Sequence, residues 1–320
     1  MKPLKYTLIA SSLLATSVFA TTWHMPTPYG DGNLSTQLAY EFAEEVKEKT
    51  GGDLDITVHS GGSLVKHLEI PRSVRTGQVQ MGEIFMAIMG NEDPVFKHDN
   101  IPFLASTYPD AKSLWEAAKP AVEEKLAKSG MQLLYTVAWP AQSLYTKMPV
   151  SDLADLKGEK MRTNSPSTSR LADLMGTVPT TVQVPDVPQA FSTGIIQAMV
   201  TSPSTGADTQ AWDYVSYYTD IKAWIPKNIV IVNKRAFARL DKDTQKIIMD
   251  AAQHVEAEGW KRVVLRGESD TQILKDNGMT VSEPTETFVK ELKEIGATMA
   301  SEWEAEDPAT ISKILERYQP

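Results

Sequence analysis

Cysteine is absent from the whole 320-residue chain. Its absence excludes a disulfide framework, a thiol nucleophile and a thiol-linked lipid anchor, so the fold must be held by its core. Histidine is scarce: His24, His59, His67, His98 and His254 show no His-x-x-x-His or Cys/His spacing that would hold a metal. No Gly-x-Ser-x-Gly elbow and no glycine-rich phosphate loop occurs, and Gly51-Gly52 and Gly61-Gly62 are isolated turns. The acidic cluster Glu41, Glu44, Glu45 and Glu48 lies along one helix face and suits solvation better than chemistry. These absences argue against an enzyme; no catalytic residue, metal or cofactor is expected. Basic charge is also short, at 32 Lys and Arg against 41 Asp and Glu, a net of −9. That balance argues against nucleic acid and against adhesion to anionic lipid.

Beyond the first residues, no apolar run approaches the roughly 18 that a membrane span needs. What the N-terminus does have is a positive start at Lys2 and Lys5, an apolar run from Leu8 to Val18, and small residues in Val18-Phe19-Ala20. This is the pattern of a Sec signal peptide over residues 1–20, with the mature chain beginning at Thr21 and working in the periplasm. About 300 mature residues can bury some three-quarters of their unfolded surface, usually as two lobes.

Along the mature chain, strand and helix patterns alternate, the signature of an α/β architecture. Strand patterns cover Thr22–Met25, Leu54–Val58, Val79–Phe85, Met131–Val137, Lys160–Thr163, Val178–Val182, Gln197–Thr201 and Asn228–Asn233. Leu34, Leu38, Phe42 and Val46 predict an amphipathic helix stopped by Thr50-Gly51-Gly52. Further helices are predicted over Leu64–Thr76, Asp110–Ser129, Ser167–Met175, Asp186–Thr193, Glu286–Glu304 and Pro308–Tyr318. Asp241–Asn277 reads as helix almost without interruption, between an Asp N-cap and a Gly stop. One helix of about 50 Å or two broken near Gly259 or Gly267 both satisfy the residue pattern.

Arg162 closes the phrase Asp155-Leu156-Lys157-Gly158-Glu159-Lys160-Met161-Arg162, a polar turn feeding a strand. A guanidinium is planar and permanently charged, so inside a fold it demands an anionic partner. The phrase resembles the extracytoplasmic solute receptors of TRAP transporters, the dicarboxylate-binding (DctP-type) family. The resemblance runs in order through Phe42 to Gly52, Ser60 to Leu64, Val74 to Gly82, Ile101-Pro102-Phe103-Leu104, Gln189 to Gly194 and Phe237 to Ile248.

It implies a two-lobed periplasmic solute-binding fold with a hinge and one long helix spanning both lobes. Lobe I is expected at 21–139 plus 228–266 and lobe II at 140–227 plus 267–320. Arg162 matches the receptors' ligand-clamping Arg, and Thr201 falls where many relatives carry Asn. Gln142 stands where some sugar-acid receptors have a second Arg, and Phe85 where some carry an acid. A long polar acid thus loses a contact, and an amine finds no counter-charge. Trp139, Phe85 and Trp224 would supply flat apolar walls and Asn228 neutral polarity, while Met25 and His24 line the pocket mouth in the receptors. Core packing is the competing reading for Phe85 and Trp139, and a surface histidine for His24. The implied partners are a small organic anion and the small and large TRAP membrane subunits, served by a monomer without ATP. A sulfonate receptor of the same type is the first alternative; a receptor for an ABC importer or sensor is the second.

Overall fold

Strands and helices alternate through the computed structural model, which describes residues 20–318. The expected signal peptide at 1–20 therefore lies, Ala20 apart, outside the described residues. In chain order the elements are β1 (Thr21–Pro26), α1 (Leu34–Lys49), β2 (Leu54–His59), α2 (Ile70–Thr76), β3 (Met81–Phe85), α3 (Tyr108–Lys128) and β4 (Met131–Ala138). There follow β5 (Ser143–Thr146), β6 (Lys160–Thr163), α4 (Pro166–Leu174), β7 (Val178–Thr181), α5 (Val187–Ser192), β8 (Ala198–Thr201), α6 (Pro203–Asp208) and β9 (Tyr217–Thr219). The chain closes with β10 (Lys227–Asn233), α7 (Lys234–Ala238), α8 (Lys242–Asp276), β11 (Thr280–Ser282), α9 (Glu286–Glu306) and α10 (Pro308–Arg317).

Two layers organise these elements. In the first, β1 and β2 form a parallel pair, and β10 runs antiparallel between β3 and β4. Asn33 caps α1 by accepting from Ser35 N, and Leu38, Phe42 and Val46 turn inward onto a core shared with Trp23, Met25 and Ile56. The second layer is a six-stranded sheet in the order β11-β9-β5-β8-β6-β7. Tyr145, Phe191, Met199 and Tyr218 fill its core. The α-helix expected from Leu64 begins only at Ile70, after a short 3-10 turn at His67–Glu69. Pro71 explains the late start, because proline suits a first helical turn, where its missing N–H leaves no gap.

The long helix is a single element: α8 runs through Gly259 and Gly267 without interruption. Both glycines serve close approach. A Cβ on Gly259 would lie 3.2 Å from Leu38 Cδ1, and one on Gly267 3.1 Å from Pro140 Cβ. At about 1.5 Å per residue the helix spans some 50 Å, and it packs on α1 and β4 at one end and on α6 and β11 at the other. No described helix is long and apolar enough to cross a membrane. The C-terminal helices touch both layers. Trp303 Nε1 donates to Pro94 O at 2.8 Å and Lys97 meets Glu306, while Arg170 meets Glu302 and Leu153 N donates to Glu291.

Candidate anion-binding site between the layers

Arg162 is the third residue of β6, where strand alternation sets it on the face opposite Met161, which enters a hydrophobic core. Its side chain is only 3% exposed. Nε donates to the backbone carbonyl of Val182 at 2.9 Å. Burial draws the guanidinium pKa from 12.5 down to about 10, and Tyr29 and Tyr214 pull weakly the other way. Among the described residues, no carboxylate is one of its electrostatic partners. Lys227 makes the contrast: equally buried, it has Asp99 at 3.2 Å. A buried cation without a protein counter-ion is costly and marks a place for an outside anion.

Tyr29, which interacts electrostatically with Arg162, belongs to an aromatic wall. Tyr29, Phe85, Ala87 and Trp139 form one buried cluster, with Ile88 and Val184 packed against it. The Tyr29 and Trp139 rings meet edge to face at 4.9 Å. Trp139 Nε1 and the Tyr29 hydroxyl both donate to Asn228 Oδ1, at 2.8 and 3.3 Å. Asn228 Nδ2 in turn donates to Glu83 Oε1 at 2.8 Å and Ser35 Oγ at 3.2 Å, and Thr27 Oγ1 donates to Glu83 Oε2 at 2.6 Å. Burial raises the Glu83 pKa, which favours its neutral form. The wall is therefore apolar rings backed by polar groups that satisfy one another.

Of the residues expected at the site, Phe85, Trp139 and Asn228 converge. Asn228 sits opposite Phe85 in the β3–β10 register and holds Trp139 by hydrogen bond. Arg162 joins them electrostatically through Tyr29. Thr201 is buried on β8, two residues beyond Met199, the register partner of Arg162, so both fall on one sheet face. Gln142 is buried on the crossover into β5; its Nε2 donates to Pro140 O at 2.8 Å and its backbone N to Trp224 O at 2.9 Å. Trp224 lies in the large hydrophobic core and not in the aromatic cluster, and its Nε1 has no hydrogen-bond partner among the described residues.

Met25 corrects the expectation. Strand alternation turns it, with Trp23, into the core against Leu38 and Phe42, and it is not part of the aromatic cluster. His24, on the other parity, is exposed and lies 3.0 Å from His59. Tyr29, His67, Glu83, Gln183 and Tyr214 were not anticipated. Tyr29 alone carried a signal, as an aromatic between Pro28 and Gly30 in a turn-rich loop.

The sequence profile of the family described as bacterial extracellular solute-binding protein, family 7, the DctP family, matches residues 27–307. The chain belongs to this family of TRAP solute receptors. The receptor superposes with TM-score 0.93 on a Bordetella pertussis extracytoplasmic solute receptor binding pyroglutamic acid, at 48% identity over 94% of this chain and 100% of that one. A second Bordetella pertussis receptor binding pyroglutamic acid gives 39% identity and TM-score 0.92, over 93% and 99% of the two chains. A marine metagenome TRAP solute-binding protein specific for pyroglutamate gives 38% and 0.92, over 93% and 98%.

In this receptor the two layers are tied across the cleft mouth. Asn33 Nδ2 donates to Asp208 Oδ2 at 2.7 Å, and Arg266 on α8 reaches Asp208 at 3.4 Å and Asp270 at 2.7 Å. Deeper in, the His67 ring meets Gln183 at 3.0 Å. A cavity of about 520 Å³ lined by Tyr29, Asn33, Val184 and Asp208 opens beside these contacts.

Proposed function

We propose that the receptor binds pyroglutamate, with its carboxylate on Arg162 and its flat lactam ring against Tyr29, Phe85 and Trp139. The observation that carries this reading is Arg162 itself: a buried guanidinium with no carboxylate partner among the described residues, coupled electrostatically to Tyr29 of the aromatic wall. One recessed positive charge suits a ligand with one anionic group. The aromatic rings suit a planar five-membered ring, and Thr201, with its hydroxyl near the same strand face, suits a second hydrogen bond. Gln142 is neutral where a long sugar acid would want a second cation. No ionised acid is offered to an ammonium group, since Glu83 is turned into Asn228 and biased toward its neutral form. The similarity to three pyroglutamate receptors supports the same class and favours a carboxylate over a sulfonate.

The receptor is exported after removal of residues 1–20, works in the periplasm as a monomer and carries out no catalysis. Ligand entry neutralises Arg162, and the lobes then close about the hinge. Closure shifts the population toward the form that docks on the small and large TRAP membrane subunits. Lobe I comprises 21–139 plus 228–266 and lobe II 140–227 plus 267–320, with the C-terminal helices bearing on both. The test is calorimetry with L-pyroglutamate, L-glutamate, L-proline, glucuronate and taurine, cross-checked by thermal shift, since a ligand of the folded form raises the midpoint. Pyroglutamate should bind tightest. Tighter binding of glucuronate, glutamate or taurine overturns the assignment.

A further inference from the structure

His67 and Gln183 stand 116 residues apart in sequence, one just before α2 beside the first layer, the other just after β7 in the second. Their contact has a readable polarity. The backbone N–H of Phe85 donates to His67 Nε2 at 3.1 Å. A backbone N–H can only donate, so Nε2 presents its lone pair and the proton of the neutral ring resides on Nδ1. Burial holds the ring neutral, drawing its pKa to about 4, and the Arg162 charge acts in the same sense. Nδ1–H therefore donates to Gln183 at 3.0 Å, so the partner atom must be the amide oxygen Oε1. This assigns the amide orientation from chemistry.

The consequence is a directed donor. Gln183 Nε2 is buried and has no hydrogen-bond partner among the described residues. Buried amide donors are nearly always satisfied, so an orphan needs an explanation. The neighbouring residue, Val182, gives its carbonyl to Arg162 Nε at 2.9 Å, which ties the backbone carrying Gln183 to the guanidinium. Resting on the proposal that Arg162 holds the ligand carboxylate, we infer that Gln183 Nε2 is a second donor to that anion, aimed by the relay Phe85 N–His67–Gln183. His67 acts as a positioning residue. Because the relay crosses from one layer to the other, the donor is aligned only when the lobes meet. Ligand contact with Gln183 then differs between open and closed forms, as any closure driven by ligand requires.

The test is the Kd for L-pyroglutamate of the wild type, Gln183→Leu, Gln183→Glu, His67→Leu and the double variant His67→Leu/Gln183→Leu, with unfolding midpoints measured without ligand. A lost hydrogen bond to a charged group weakens binding roughly 10- to 150-fold. Gln183→Leu should fall in that range with an unchanged ligand-free midpoint, and Gln183→Glu should weaken binding further by facing an acceptor to an anion. His67→Leu should weaken binding in the same sense, and in the double variant the two losses should overlap instead of multiplying. Gln183→Leu binding within twofold of wild type, or fully multiplicative losses, overturns the inference. Should pyroglutamate itself not bind, the proposed function fails separately, and the same ratios are read with the carboxylate giving the largest thermal shift. Failure of every carboxylate to bind overturns both.

Discussion

Replacing Arg162 by methionine separates two effects that an alanine scan would merge. The side chain keeps its length and loses its charge. In the conformation described here, burial holds the guanidinium at about 10 against 12.5 when solvated. That difference corresponds to about 3 kcal/mol, or roughly a 300-fold bias in an equilibrium between exposed and buried states. If Arg162 holds the ligand as proposed, this bias opposes closure in the ligand-free wild type, and a bound carboxylate relieves it. The Nε bond to Val182 is made within one layer, so it contributes equally to open and closed forms. Arg162→Met should therefore bind no ligand and yet populate the closed form unaided. Small-angle scattering reads both. Ligand-free Arg162→Met should match the compact profile of liganded wild type and stay there on addition of pyroglutamate, whereas ligand-free wild type should be more extended and contract. Arg162→Lys, which keeps charge but loses the fork, should retain a remnant of binding. If ligand-free Arg162→Met scatters like ligand-free wild type, burial of Arg162 is not what holds the cleft open, and the reasoning fails.

Three further outcomes are expected. Intact-mass measurement of exported protein should give a chain beginning at Thr21; retention of residues before Ala20 would contradict the signal-peptide reading. Acid should destabilise the fold through His98, fully buried and drawn by burial to about 4. It is neutral when folded, and the unfolded chain takes up the proton near pH 6.5. The penalty is thus absent above about pH 7 and grows as pH falls, reaching roughly 2 kcal/mol at pH 5. Urea unfolding at pH 7.5 and 5 should show His98→Gln losing less stability than wild type by about that amount; equal losses would refute it. Gly296→Ala should destabilise by more than about 2 kcal/mol, because its Cβ would stand 2.1 Å from the backbone oxygen of Pro102, which has no rotamer with which to yield. An unchanged urea midpoint would show that α9 does not pack there.

The architecture was legible to the extent that a segment's fate depends on its own residues. The stripe of Leu38, Phe42 and Val46 and the Asp241 cap each state a helix locally, and each is present. The continuity of α8 was not legible, since the reason for Gly259 and Gly267 lies in Leu38 and Pro140, far away in sequence. β5, β9 and β11, three or four residues long, were not read as strands at all, although β6, β7 and β8 of similar length were. The site divides in the same way. Arg162 was readable because a whole phrase delivers it, and Phe85, Trp139 and Asn228 because of the resemblance; the structure brings the last three together. Met25 was expected from the resemblance alone, whereas strand alternation places it with Trp23 in the core against α1.

His67 and Gln183 left no local trace. Neither stands in a motif, and their contact exists only because a 3-10 turn of one layer reaches the loop after a strand of the other. Tyr29 reaches Asn228 across 199 residues as well, though within the first layer. A pairing between layers, such as His67 with Gln183, is what a two-lobed clamp requires. A site built within one segment would be complete whether or not the lobes met, and could report nothing about closure. On the proposed reading, Arg162 on one layer, the aromatic wall on the other and the relay between them would make anion binding and lobe approach one event. That coupling would also explain why His67 and Gln183 cannot be found by reading either layer alone.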